Sequence, residues 1–203
     1  MATDDEYLYP LSQFRKRIAY ANAFGTDFVV PVGTGVFLHK NSDFIHTLKK
    51  NELNQSFSML VGVFTTENLY TDGYHTSSKT KNIIDDENSQ DELLNMSIRL
   101  DSLGWTKKVF DVRKTLPSIP SPKSVISGII RPLFNGNQME ERLRSKDLLD
   151  IFSTGNSLVF PAGHNMIVAL SKNNFHSVLN KGGRPIMDHL ALEIINNVLE
   201  IQD

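Results

Sequence analysis

No cysteine occurs among the 203 residues, which excludes a disulfide framework and thiolate-ligated metal. Charge of one sign is also lacking. The formal net charge is −2 and the pI about 6.3, so the basic excess that accompanies nucleic-acid binding is missing. No apolar run approaches the roughly 20 residues of a membrane-spanning helix. The opening "MATDDEYLYPL" is acidic and polar, unlike a signal peptide. These absences predict a cytoplasmic protein that binds no nucleic acid, with peripheral contact to a membrane or lipid droplet left open. There are no internal repeats. None of the histidines pairs at metal-ligand spacing, and the pattern implies no cofactor. What is present is ordinary for a globular chain, 40% apolar and 22% charged residues, in a length that suits one domain.

The pattern along the chain predicts alternating strands and helices. "DEYLYPLSQFRK" reads as the end of a helix begun before the chain does. "RIAYANA", residues 17–23, reads as a buried strand, and "SFSMLVGVFTTE", residues 56–67, as a second with a bulge at Gly62. Residues 68–91 form a polar insertion. "DELLNMSIRLDSLGW" has helical spacing with acids in its first turn, and "KKVFDVR" alternates as a half-buried strand does. Three prolines interrupt residues 116–123. "NQMEERLRSKDLLDIFS" reads as a helix, "NMIVALS" as a strand, and "RPIMDHLALEIINNVLE" as a closing helix opened by Pro185. The sum predicts a single α/β domain over residues 1–203 with a mainly parallel sheet.

Two positions stand out chemically. In "AFGTDFVVP", Asp27 lies four residues past the first strand, where open parallel sheets collect functional groups. A turn Asp bonding its own backbone is the commoner meaning. In "FPAGHNMIVAL", His164 is one of six histidines and composition does not single it out. The pair, 137 positions apart, has the order of the acid and base in an α/β-hydrolase triad. There the acid fixes the imidazole tautomer and the imidazole takes a proton from a serine. Three lesser features are "FRKR", residues 14–17, as a solvated helix end or an anion or lipid contact; Phe152 and Phe160 as core or acyl-pocket residues; and "NKGGR" as a phosphate contact or a tight turn.

The segments "LSQFRKRIAYANAFGTDFVVPVGTGVF", "LDSLGWTKKVFDVR" and "GHNMIVAL…NKGGRPIMDHLALEII" together resemble the eukaryotic lipase-like serine esterase family of α/β-hydrolases, from about Leu11 to Leu199. Thr26 stands where that family often has Asn. The resemblance implies the C-terminal part of an α/β-hydrolase fold, with Asp27 as triad acid and His164 as triad base. It implies hydrolysis of acylglycerol or phospholipid esters through an acyl-enzyme. The sequence departs from the family at the nucleophile: it contains no G-x-S-x-G. Ser127, Ser153 and Ser157 lack the flanking small residues of a tight elbow and follow the acid. The nucleophile-bearing half is therefore expected to be absent and the chain inactive alone. It is also expected to associate through an exposed sheet edge. The alternative is a non-catalytic module that binds a protein partner or lipid.

Overall fold

A computed structural model describes residues 4–27, 30–53, 57–67, 89–116, 141–153 and 162–199. Among these residues five strands form one sheet: β1 (Ile18–Asn22), β2 (Ile45–Leu48), β3 (Leu60–Thr65), β4 (Thr106–Phe110) and β5 (Arg142–Arg144), in spatial order β1-β4-β3-β2-β5. The β1–β4 pairing is parallel; β4–β3, β3–β2 and β2–β5 are antiparallel. This corrects the expectation of a mainly parallel sheet. Residues 45–48, not read as a strand, enter antiparallel beside β3, and "RLR" adds an edge strand where a helix was expected. The chain is thus mixed α/β with a mostly antiparallel open sheet. The bulge in β3 is present, as a register shift between Leu60 and Gly62.

Helices cover both faces. They are α1 (Asp5–Ser12), α2 (Val32–Gly35), α3 (Lys50–Leu53), α4 (Ser89–Asp101), α5 (Ser145–Ser153), α6 (Gly163–Ile167), α7 (Asn174–Leu179) and α8 (Arg184–Leu199). Alternation along β1 sorts its contacts. Ala19 and Ala21 are small enough for α2 to approach closely: a Cβ built on Gly35 would lie 3.0 Å from that of Ala21. They join Phe24, Val36, Leu48, Phe64, Val109 and Phe152 in one core cluster. On the other face Tyr20 packs beside Phe110, whose cluster includes Met166, Ile167 and Ile186. Phe152 is thus a core residue; Phe160 lies outside the described residues.

Two further expectations are corrected. The α1 helix does not continue from an earlier segment: Asp4 is extended and caps it, accepting the Glu6 N–H at 3.0 Å. "NMIVALS" is not a strand. Residues 163–167 form α6, which buries Met166 and Ile167 on one side. A short apolar run fits either element, and tertiary packing decides here. Gly183 backs onto the Met166 carbonyl so closely that a Cβ would sit 1.5 Å from the oxygen. The prolines and polar insertion fall mostly outside the described residues. The closing helix is as expected, entered through a 3-10 turn at Asn180–Gly183.

Candidate functional site

At the carboxyl end of β1 the chain reverses through two left-handed residues, Phe24 (φ 63°) and Gly25 (φ 62°). A phenylalanine rarely takes this conformation. Here its ring is fully buried and the Arg113 guanidinium lies 4.0 Å from the ring centre, so packing holds the turn. The reversal delivers Asp27 into an isolated antiparallel bridge with Ala162, the residue just before α6. The Gly163 N–H donates to the Thr26 carbonyl at 2.8 Å, and a Cβ on Gly163 would come within 2.6 Å of that oxygen. Only glycine lets α6 start this close to the turn.

This docking brings the two sequence candidates together. The Asp27 Oδ2 lies 3.8 Å from the His164 Nδ1, with the carboxylate side chain 2% exposed and the imidazole 50% exposed. That separation is ion-pair contact, longer than a direct hydrogen bond of about 3 Å. The other oxygen, Oδ1, accepts the Val30 N–H at 3.0 Å. Asp27 is therefore both a turn Asp and a neighbour of His164, with one oxygen for each. Beside them, the Asn22 carboxamide is buried at the last position of β1 and its Oδ1 has no hydrogen-bond partner among the described residues. No hydroxyl among the described residues hydrogen-bonds His164. Ser153 ends α5 and donates back to the Leu149 carbonyl. Ser127 and Ser157 lie outside the described residues.

A second ionisable cluster was not anticipated. Lys107 on β4, Asp101 at the end of α4 and His46 on β2 meet inside the molecule, each no more than 1% exposed. The Lys107 ammonium contacts the Asp101 carboxylate and lies 2.9 Å from the His46 Nε2, which is 3.7 Å from Asp101. Burial pushes the Asp101 carboxyl up to about 6 against the opposing pull of Lys107. Burial, helped by the Lys107 charge, brings His46 down to about 3. Burial also lowers Lys107, while Asp101 acts against the shift. "TKKVF" carried a partial signal, since two adjacent lysines within a strand must face opposite sides. The other lysine, Lys108, is buried too and pairs with Glu193 at 2.8 Å.

No cluster of acidic or histidine side chains among the described residues could hold a metal ion. No helix among them is long and apolar enough to cross a membrane. Compared with family models, curated proteins and solved structures, the chain matches none.

Proposed function

We propose that this chain supplies the acid and base of a lipase-like serine esterase, with Asp27 orienting His164. In this proposal the nucleophilic serine comes from a polypeptide segment outside this sequence. The observation that carries it is the 3.8 Å approach of a buried carboxylate to the Nδ1 of a half-exposed imidazole. A carboxylate there favours the Nδ1–H tautomer and leaves Nε2 as the base for an arriving hydroxyl. The position of β1 is compatible. It ends the sheet, its outer edge is unpaired among the described residues, and the dyad sits at its carboxyl end. A serine-bearing strand added there would approach His164. The substrates proposed are acylglycerol or phospholipid esters, attacked through an acyl-enzyme. The mostly antiparallel sheet departs from the parallel core of such hydrolases, so β2, β3 and β5 are proposed as an insertion beside the β1–β4 pair.

Nitrogen-15 NMR of His164 tests the orienting role. The expected result is a protonated Nδ1 in the neutral ring, with that tautomer preference lost in Asp27→Asn. An unchanged tautomer in the variant would remove Asp27 from the role. The chain alone should not react with a fluorophosphonate probe, because it brings no elbow and no oxyanion donors. Labelling that disappears in Ser127→Ala, Ser153→Ala or Ser157→Ala would place the nucleophile inside the chain instead. The second reading, a non-catalytic module for a protein or lipid, is favoured by the absence of any G-x-S-x-G in the sequence.

A further inference from the structure

At the amino end of β1, away from Asp27 and His164, a cleft of about 380 Å³ opens between the "RKR" segment, the start of β4 and the C-terminal half of α8. Such a volume accommodates a small ligand. Its floor follows from strand register. Thr65 on β3 and Thr106 on β4 are cross-strand partners, and Ile18 on β1 pairs with Thr106 on the other side. Side chains in register share a face of the sheet. The same parity puts Lys108 and Tyr20 on that face, where both bond Glu193 of α8. The two threonine hydroxyls therefore lie in a row under the cleft, and neither has a partner among the described residues. Trp105 lies at its border, with its indole edge-on to Phe37.

The charges in this cleft are unevenly satisfied. Both carboxylates, Glu52 and Glu193, are within ion-pair distance of Lys108, at 3.7 and 2.8 Å, and Glu193 also accepts the Tyr20 hydroxyl at 2.7 Å. Among the described residues Arg17 is held by neutral acceptors, the backbone carbonyls of Gly104, Leu11, Ser12 and Phe14. Arg15 is exposed and has no partner among the described residues. What the cleft offers is one guanidinium free to form a bidentate contact, a second held in place, and two hydroxyls that can donate. A compact anion with several acceptor oxygens suits these groups, and guanidinium forks match phosphate oxygens well.

We infer that this cleft binds a phosphomonoester, with Arg15 and the Thr65 and Thr106 hydroxyls on the phosphate. The inference does not depend on the esterase proposal, because none of its residues touches Asp27 or His164. Trp105 is the single tryptophan of the chain, so its fluorescence reports on this cleft. The full chain is titrated with glycerol 3-phosphate at constant ionic strength, with chloride as control. In a second arm, the chain is sedimented with phosphatidylcholine vesicles that contain or lack phosphatidic acid. Saturable quenching or enhancement by glycerol 3-phosphate, weakened about tenfold or more in Arg15→Ala and reduced in Thr106→Val, supports a soluble ligand. Arg15-dependent sedimentation only with phosphatidic acid supports the same chemistry on a lipid headgroup. Arg15→Ala removes an exposed side chain, so it reads binding even where Thr106→Val folds poorly. A response equal to that of chloride, or one unchanged by Arg15→Ala in both arms, would overturn the inference.

Discussion

Lys107, Asp101 and His46 illustrate how much a single buried side chain can decide. Removing two charges from water costs several kcal/mol each, and mutual attraction recovers this only in part. The opposed shifts, Asp101 up and Lys107 down, say that burial outweighs attraction for both partners. Asp101→Asn alone should cost about 3–5 kcal/mol by stranding the ammonium, whereas Asp101→Asn with Lys107→Met should lie near the wild type. Urea denaturation of both variants checks this, and equal losses would contradict it. His46 adds a pH dependence. Its folded value is depressed from 6.5 to about 3, so its contribution is complete above pH 6.5 and lost as the pH falls toward 3. Asp101, raised from 3.8 to about 6, acts oppositely: its contribution is present at low pH and lost as the pH rises through about 6. His46→Gln keeps an acceptor for Lys107 and removes the first effect. From pH 7 to 5 the variant should gain about 2 kcal/mol relative to wild type. The approach of Asp27 to His164 was suggested by their order along the chain and by the family resemblance, since neither residue stands out from its local pattern alone. The buried cluster was not, since its members come from three separate elements and show no spacing.

For the elements, the outer edge of β1 carries the most consequence. Arg17 and Ala23 turn their bonding groups toward β4, through the Thr106 N–H and the Phe110 carbonyl. By alternation, Ile18, Tyr20 and Asn22 direct theirs away from the sheet. Such an edge is a template for association. Leu192, Ile195 and Leu199 of α8, each more than half exposed, recur at helical spacing on one face of that helix. The chain should therefore form oligomers that grow with concentration in light scattering. A strict monomer at all concentrations would show the edge to be protected. β1, β4, α4 and α8 were legible because each has a clear period and a stop signal. The antiparallel arrangement was not. β2 is only four residues long and ends just before Lys49 and Lys50, while β5 reads as helix until its pairing with β2 is known. In α6, packing against Gly183 decided between two elements that the apolar run fits equally.

Taken as a whole, the molecule interleaves near and distant pairings. Thr47 pairs with Thr65, 18 positions on, whereas Ile18 pairs with Thr106 across the whole β2–β3 segment. Asp27 meets the bridge to Ala162 from farther still. Closing a loop of about 135 residues rather than 18 costs roughly 1.8 kcal/mol more in chain entropy. Contacts of long sequence separation form slowly. The β2–β3–β4 ladder should thus assemble first, and β1 and β5, whose pairings span longer stretches of chain, afterwards. Truncating Phe64 should slow refolding, while Ala21→Gly should mainly speed unfolding, and stopped-flow fluorescence of Trp105 can separate the two. A large effect of Ala21→Gly on the refolding rate would reverse this order. The left-handed turn at Phe24 and Gly25 hangs from a strand that arrives late. Asp27 and His164 would then come into register only at the end of folding, so a newly made chain would pass most of its maturation with a formed sheet and no assembled dyad.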